Sequence, residues 1–307
     1  MKVVSVHDIK KSYQQVQALK GVSFEVEKGE IFGIIGPDGA GKTSLFRILT
    51  TLLLADSGHA TVDGNDVVKD YKKIRQKVGY MPGKFSLYQD LTVEENLKIF
   101  ATLFGTSIEE NYHLVEAIYS QIEPFKNRKA GALSGGMKQK LALSCALIHQ
   151  PVVLFLDEPT TGVDPVSRKE LWDVLKDLRK HGVTILVSTP YMDEANLCDR
   201  IALIQEGAFM KIDTPSQIID DYDQILWSVK SKNMYRLLKD LRKNEYVLSS
   251  YAFGNVHHVT IASKGIRSKS GFSPLDLTSY LNNKGHSEVQ ITVIKASIED
   301  CFMQMIA

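Results

Sequence analysis

The sequence predicts an α/β core with a parallel sheet, followed by a smaller α+β domain. Short apolar segments alternate with helical stretches before Pro215, and this alternation is typical of a parallel sheet. A glycine-rich loop joins one of these apolar segments to a helix. After Pro215 the pattern changes, and strands also follow one another directly. The 307 residues suffice for two domains, which we expect at 1–220 and 221–307, with the boundary near 216–225.

The larger domain is expected to begin with an antiparallel β element. Residues 3–9 and 22–27 alternate apolar and polar positions, as half-buried strands do. Residues 31–35 are apolar throughout, which predicts a strand buried on both faces, and an amphipathic helix begins near Lys42. Further strands are predicted at 152–156, 183–188 and 201–204, with a helix at 165–180. Stretches with helical periodicity at 92–105, 108–122 and 135–149 predict a helical insertion over about 86–149.

The smaller domain has the predicted order β-α-β-β-α-β, which is typical of a ferredoxin-like fold. Its strands are predicted at 226–230, 246–253, 256–262 and 287–294, and its helices at 233–243 and 274–284. A last helix is expected at 297–305.

Composition excludes several classes of protein. The formal net charge is +1, so we expect no nucleic-acid partner. Cys145, Cys198 and Cys301 lack zinc spacing and are interpreted as core residues in a reducing compartment. The first seven residues lack the apolar region of a signal peptide, and no apolar run approaches the 18 residues that suggest a membrane span. A role at a membrane would therefore require a partner that holds the chain there.

The glycine-rich loop carries the most specific motif. Residues 36–43, Gly36-Pro37-Asp38-Gly39-Ala40-Gly41-Lys42-Thr43, fit G-x-x-x-x-G-K-[ST] between a buried strand and a helix. In this motif backbone N–H groups surround phosphate oxygens, the lysine reaches the β- and γ-phosphates, and the hydroxyl binds Mg²⁺. The sequence therefore predicts ATP and Mg²⁺ as ligands; the alternative is a chance glycine-rich turn.

Two carboxylates follow the strand at 152–156. In a phosphate-loop fold, this strand end faces the γ-phosphate, so Asp157 is predicted to hold Mg²⁺ together with Thr43. Glu158 is predicted to act as the general base that polarises the attacking water. Taken alone, an Asp-Glu pair at this position is more often a solvated strand end.

Residues 133–140, Leu133-Ser134-Gly135-Gly136-Met137-Lys138-Gln139-Lys140, closely resemble the signature motif of ATP-binding-cassette (ABC) ATPases, with Met137 in place of the usual glutamine. The alternative interpretation is that Ser134 is simply a helix N-cap. The two roles are compatible, because a helix N-terminus also suits a γ-phosphate. The resemblance covers residues 1–215 and implies a RecA-like P-loop cassette with a helical insertion. It also implies a second cassette, as a homo- or heterodimer, to whose ATP Ser134, Gly135 and Gly136 would contribute.

Other elements of the family fall in the same order. Tyr13 matches the aromatic residue that stacks on adenine, with a buried strand-end tyrosine as the alternative. Ser44 completes the phosphate-binding set, and Asp164 matches the aspartate that couples the two sites of the dimer. The resemblance further implies a membrane-spanning subunit docked near residues 83–95 and a location at the cytoplasmic, inner face of the membrane. The chain end around Ile298 to Phe302 resembles the domain behind ATPases of ABC-2 type multidrug exporters.

Two positions depart from the family pattern. Gly83 stands where the family has a glutamine that contacts Mg²⁺ and the attacking water, and Gln89 is a weak substitute six residues on. Pro190 stands where the family has a histidine that bonds the γ-phosphate. Loss of one such transition-state contact typically costs about 2.7–4 kcal/mol. The sequence therefore predicts good ATP binding and slow hydrolysis; the alternative is that other groups compensate and hydrolysis is ordinary.

Two alternatives stay open from the sequence. A non-transport ABC ATPase acting on nucleic acid is disfavoured by the near-neutral charge and by the short stretch between Lys42 and Ser134, which leaves no room for a long coiled coil. A regulatory subunit that binds ATP without turnover is closer to the preferred interpretation, since it needs the same binding residues.

Overall fold

The computed structural model describes residues 1–261 and 272–306, and it divides the chain into two compact units, Met1–Pro215 and Ser216–Ala307. The strands of the first unit are β1 (Lys2–Tyr13), β2 (Val16–Glu27), β3 (Ile31–Ile35), β4 (Ser57–Val62), β5 (Asn65–Asp66), β6 (Val78–Met81), β7 (Val153–Asp157), β8 (Thr184–Thr189), β9 (Arg200–Gln205) and β10 (Ala208–Asp213). Its helices are α1 (Lys42–Leu49), α2 (Tyr71–Lys77), α3 (Val93–Leu103), α4 (Ile108–Tyr119), α5 (Gly135–Leu147) and α6 (Pro165–Lys180).

The six-stranded sheet has the order β10-β9-β3-β8-β7-β6, and all neighbours are parallel except β10, which pairs antiparallel with β9. Strands β3, β7 and β8 are buried at every residue, as expected for central parallel strands. A four-stranded antiparallel sheet, β2-β1-β4-β5, covers one side. The predicted α/β cassette with an N-terminal antiparallel β element is confirmed.

The core of the first unit joins the two sheets around α1. Phe46 of α1 packs edge-on against Phe155 of β7, with ring centroids 5.7 Å apart. Leu45, Ile48 and Leu49 of the same helix are at most 1% exposed. Because α1 directly follows the glycine-rich loop, this packing fixes the loop relative to the end of β7.

The helical insertion consists of α3, α4 and α5, with short 3₁₀ turns at Glu123–Phe125 and Ala130–Ala132. Each α-helix ends two or three residues before its predicted end. Thr92 begins α3 with a complete capping box, in which its side chain accepts from Glu95 N and Glu95 accepts from Thr92 N.

The sequence missed several elements of the first unit. Strands β1 and β2 extend to a tight turn at residues 14–15, far beyond the predicted 3–9 and 22–27. Their ends towards this turn show little alternation of apolar and polar residues and are held by backbone pairing, for example Lys10 with Lys20. Strands β4, β5, β6 and β10 and helix α2 were not predicted. Most are short or half-exposed and carry little periodic signal.

The second unit contains β11 (Ile225–Lys230), α8 (Met234–Leu241), β12 (Val247–Phe253), β13 (Val256–Ile261), α9 (Pro274–Asn283), β14 (Gln290–Val293) and α10 (Ile298–Ile306), after α7 (Pro215–Asp220) at the boundary. Its antiparallel sheet has the order β12-β13-β11-β14, the strand order of a ferredoxin-like fold. Strand β14 is shorter than the predicted 287–294, and residue 262 of the predicted strand 256–262 lies outside the described residues. A separate core includes Trp227, Leu237 and Leu277.

All three cysteines are buried, Cys145 and Cys198 in the first unit and Cys301 in the second, where its Sγ donates to Ile218 O at 3.5 Å. Burial raises the pKa of both Cys145 and Cys198 far above that of an exposed thiol. Within residues 1–261 and 272–306, no helix has the length and apolar character needed to cross a bilayer.

Candidate functional site

The glycine-rich loop connects β3 to α1, and two of its glycines are required by close backbone contacts. A Cβ atom at Gly36 would lie 2.1 Å from the carbonyl oxygen of Ile204. A Cβ atom at Gly41, where φ is +104°, would lie 2.3 Å from the carbonyl oxygen of Ala18. Any side chain at either position would displace the backbone of a neighbouring strand or turn. The glycines therefore let the loop fold tightly at the carboxyl end of β3.

Lys42 is the first residue of α1, directly after Gly41 of the loop, and is 2% exposed. Its Nζ donates to the carbonyl oxygens of Gly36 at 2.8 Å and Pro37 at 3.0 Å, and lies 3.1 Å from Glu158 Oε1. The loop after β3 and the acidic end of β7 are therefore brought together, although residues 42 and 158 lie far apart in sequence. Glu158 itself has a left-handed backbone with φ of 51°, which is uncommon for a residue other than glycine.

Asp157 is buried at the end of β7 and is held by the neighbouring strand. Ser188 Oγ donates to Asp157 Oδ1 at 2.7 Å, and Glu158 N donates to Ser188 O at 3.0 Å. The parallel register places Asp157 opposite Ser188. Among the described residues no cluster of three or more His, Cys, Asp or Glu side chains has the arrangement of a metal site. Asp157 and the half-buried Thr43 suit a Mg²⁺ ion whose remaining ligands are phosphate oxygens and water.

Tyr13, at the end of β1, lies beside the start of α1. Its hydroxyl is 3.2 Å from Ser44 Oγ, and the residue is 43% exposed. Lys11 Nζ lies 5.8 Å from the ring centroid. The alternative of a buried strand-end tyrosine is not what the structure has, because the side chain is substantially exposed next to the phosphate-binding residues.

The signature residues form the start of α5. Ser134 is the N-cap, and its Oγ accepts from Met137 N at 3.3 Å. A Cβ atom at Gly136 would lie 2.8 Å from Ser167 Oγ, so the signature packs closely on the beginning of α6. Within the described ranges no hydrogen bond or ion pair links residues 134–136 to residues 36–44. The signature and the phosphate loop of this chain therefore do not bond to each other.

Asp164 is the N-cap of α6. Its Oδ1 accepts from Val166 N and Ser167 N, both at 3.0 Å. The hydrogen bond from the Ser167 backbone lowers the pKa of this carboxyl below its usual value. In this chain, therefore, Asp164 has a clear structural role in starting a helix.

Of the two departures from the family pattern, Gly83 lies beside the carboxylates and Pro190 lies next to the start of the glycine-rich loop. A Cβ atom at Gly83 would be 3.0 Å from Asp157 O and 3.8 Å from Glu158 Cβ. Pro190 directly follows Thr189, whose carbonyl oxygen accepts from Gly36 N at 3.2 Å. Both positions border the site and contribute neither a donor nor an acceptor side chain to it.

Gln89 belongs to the helical insertion. Its carbonyl oxygen accepts from Gly131 N at 2.9 Å, beside a 3₁₀ turn. This bond anchors its backbone in the insertion, which gives no support to Gln89 as a replacement for the missing side chain of residue 83.

Sequence reasoning missed Ser188 and Arg168. Ser188 positions Asp157 only because β7 and β8 pair in a particular register, and this register cannot be predicted from the sequence. Arg168 Nε bonds Glu194 Oε1 at 2.6 Å and a second Arg168 nitrogen bonds Asp193 Oδ1 at 2.8 Å. This pair of bonds ties α6 to the turn after Pro190. The only feature of the sequence that could have suggested these ion pairs is the opposite charge of residue 168 and residues 193 and 194.

The fold and the site together define a P-loop nucleotide-binding cassette. A family model described as ABC transporter matches residues 19–161. The probable multidrug ABC transporter ATP-binding protein YbhF of Escherichia coli (strain K12) is 41% identical over 220 residues, which are 70% of this chain and 38% of the relative. The chain thus spans well under half the length of that relative. Nod factor export ATP-binding protein I of Burkholderia lata is 39% identical, with 71% of this chain and 72% of the relative covered.

Solved structures agree with these relatives. The cassette cbiO1 from Clostridium perfringens, part of the ABC transporter complex cbiONQ, has a TM-score of 0.63 at 27% identity and covers 72% of this chain and 91% of its own. The dimeric bacterial ABC transporter cassette MJ0796 has a TM-score of 0.64 at 26% identity and covers 69% and 98%. The chain belongs to the ATP-binding proteins of the ABC transporter family.

Proposed function

We propose that this chain is the ATP-binding subunit of an ABC exporter and that its own site hydrolyses ATP slowly. The main supporting observation is the contact of Lys42 with Glu158 at the phosphate loop, flanked by Gly83 and Pro190. Relatives named for multidrug and Nod factor export support the direction of transport.

The binding residues have separate tasks in this proposal. Lys42 donates to the β- and γ-phosphates, and the loop N–H groups and the start of α1 hold the phosphate chain. Tyr13 stacks on the adenine ring next to Ser44. Asp157 and Thr43 hold Mg²⁺, which when bound neutralises charge on the phosphate oxygens. Glu158 accepts a proton from the attacking water.

Slow turnover follows from what the neighbouring residues lack. Neither Gly83 nor Pro190 has a side chain that can orient water or bond the γ-phosphate, and Pro190 has no backbone N–H either. Loss of one transition-state donor typically costs about 2.7–4 kcal/mol, a hundred- to a thousandfold in rate. The ground-state contacts that bind ATP do not depend on these two positions.

The signature is proposed to serve a second cassette. The dimeric form of a related solved cassette supports a head-to-tail pair. Ser134, Gly135 and Gly136, at the free start of α5, would face the γ-phosphate held by the partner. Asp164 would lie near the dimer interface. We infer an asymmetric pair in which the partner has the more competent site, docked on a membrane-spanning subunit at the inner face of the membrane.

The test is to measure ATP binding and ATP hydrolysis by the purified chain. We expect ATP to bind in the presence of Mg²⁺ and to be turned over slowly. Glu158→Gln should leave affinity unchanged and remove the residual activity. Turnover at ordinary transporter rates that Glu158→Gln abolishes would contradict slow hydrolysis, whereas absence of ATP binding would contradict the function itself.

The regulatory alternative predicts a different result in the complete transporter. If the chain only binds ATP and presents its signature, Glu158→Gln leaves transport unchanged. If its slow hydrolysis contributes to the cycle, the same change lowers transport while Glu158→Asp retains part of it.

A further inference from the structure

Exposed apolar side chains occur in two neighbouring segments of the first unit, the loop after α1 and the start of α2. Leu52 and Leu54 of the loop are 56% and 64% exposed, whereas Leu53 and Ala55 pack against the core. The loop is therefore extended, with its two exposed leucines on the outer side. Tyr71, the first residue of α2, is 40% exposed.

Arg75 of α2 joins the two segments. Its Nε donates to Thr51 Oγ1 at 2.8 Å, and a second guanidinium nitrogen donates to Thr51 O at 2.9 Å. The guanidinium also lies 5.2 Å from the centroid of the Tyr71 ring. The loop and α2 are thus held side by side and form one surface. We call this surface the α2 patch, and it comprises Leu52, Leu54, Lys69, Tyr71, Lys72 and Arg75.

The cations of the α2 patch are not neutralised by the chain itself. Residues 63–77 contain five Lys or Arg and three Asp, a net charge of +2, whereas the whole chain carries +1. Two of these acids form ion pairs with lysines outside the patch, and the third accepts hydrogen bonds from backbone N–H groups. Within residues 1–261 and 272–306, no carboxylate lies within ion-pair distance of Lys69, Lys72 or Arg75.

This combination of charged and apolar side chains favours a membrane surface as the partner. Anionic phospholipids attract each nearby Lys or Arg by about 1 kcal/mol. Exposed Leu and Tyr side chains gain further by entering the boundary between head groups and acyl chains. A small soluble anion would engage the cations and leave Leu52 and Leu54 in water, whereas an anionic lipid surface engages both.

The α2 patch is also continuous with the expected docking site of the membrane-spanning subunit. A groove of about 340 Å³ is lined by residues that include Leu52 of the patch and Pro82 and Leu87. The last of these lies within residues 83–95, near which that subunit is expected to dock. A surface that continues from this groove would lie next to the bilayer.

We propose that the α2 patch contacts the anionic lipid surface beside the membrane-spanning subunit. Leu54 and Tyr71 enter the head-group region, and Lys69, Lys72 and Arg75 lie against lipid phosphates. The proposal rests on the membrane location proposed above. None of the patch residues belongs to the nucleotide site, so lipid contact and ATP binding can be measured independently.

The test measures binding of the full chain to vesicles by co-sedimentation. We expect binding to equimolar phosphatidylglycerol and phosphatidylcholine, weaker binding at high salt and little binding to phosphatidylcholine alone. The double variant Lys69→Glu/Lys72→Glu should lower the partition coefficient at least about tenfold. Lys169→Glu/Lys176→Glu is the matched control, because it makes the same change in net charge at exposed positions of α6, and it should have little effect.

Leu54→Ser tests the apolar part of the patch. It should lower the partition coefficient about three- to tenfold and leave the salt dependence unchanged. The proposal is overturned by equal binding to the two kinds of vesicle, by an equal loss in the two double variants, or by an unaffected Leu54→Ser variant. It is also overturned if Lys69→Glu/Lys72→Glu retains vesicle binding but no longer co-purifies with the membrane-spanning subunit, because the patch then contacts that subunit.

ATP binding in the presence of Mg²⁺, measured on the same samples, separates this proposal from the function proposed above. Each variant should bind ATP as the unchanged chain does, which also shows that it is folded. A chain that binds ATP but not anionic vesicles contradicts the lipid contact alone. A chain that fails to bind ATP contradicts the proposed function.

Discussion

At the scale of single residues, Pro190 has the clearest chemical consequence. It directly follows β8, and the carbonyl oxygen of the preceding Thr189 accepts a hydrogen bond from Gly36 N. The phosphate loop and residue 190 are thus adjacent through the backbone, and we expect an imidazole at this position to reach the site. Gly83 is less tolerant, because a Cβ atom there would be only 3.0 Å from Asp157 O.

Pro190→His should therefore raise the rate of ATP hydrolysis at least about tenfold, since it supplies a donor to the transition state. The measurement is steady-state phosphate release by the purified chain. Pro190→Ala is the matched control, because it restores the backbone N–H without an imidazole. Equal rates for the two variants would show that the side chain at 190 is not what limits turnover.

At the scale of elements, the two helices that border the signature each begin with a side-chain cap. Ser134 caps α5 through Met137 N, and Asp164 caps α6 through Val166 N and Ser167 N. A residue that caps a helix and serves a second cassette has two roles. Stability and activity measurements separate them, because the cap acts in the isolated chain.

Ser134→Ala should lower the free energy of unfolding by about 1 kcal/mol, because α5 loses its N-cap. Urea unfolding of the isolated chain measures this. Ser134→Asn is the control that retains a capping oxygen, and it should restore most of the loss. A Ser134→Ala variant as stable as the unchanged chain would argue against the cap and leave only a role at the dimer interface.

Asp164→Ala should destabilise the chain in a pH-dependent way. The native pKa of Asp164 is lowered by the Ser167 N–H, so its contribution is present above the unfolded value of 3.8 and is lost as pH falls through the lower native pKa. The difference in urea midpoint between Asp164→Ala and the unchanged chain should be full near neutral pH and shrink below that window. Asp164→Asn, an uncharged cap, should lack this pH dependence; a difference constant with pH would contradict the assignment.

The features that could be predicted from the sequence are those with a motif or a hydrophobic periodicity within a short segment. The phosphate loop, the buried strand before Asp157 and the helix at 165–180 each have a signal within a few residues. The bond of Ser188 to Asp157 depends on the register of two parallel strands, and the bond of Arg168 to Glu194 depends on tertiary packing. Strand β4 was missed because its half-exposed residues show no regular alternation.

At the scale of the whole molecule, the chain consists of two units with separate cores. The first unit contains all the nucleotide-site residues discussed above, and the second has a ferredoxin-like strand order with its own buried cluster around Trp227. Because the two cores are separate, a ligand that binds one unit is expected to stabilise mainly that unit.

Each unit contains at least one buried thiol, so covalent labelling can measure how readily each unit opens. A maleimide reacts with the thiolate, so Cys145, Cys198 and Cys301 become modified only when their surroundings open. Intact-mass spectrometry followed by proteolysis would record three separate labelling times. ATP with Mg²⁺ should slow the labelling of Cys145 and Cys198 and leave that of Cys301 unchanged. Equal slowing at all three sites would instead indicate that the units open together. The three labelling rates therefore measure how far along the chain bound nucleotide suppresses local opening.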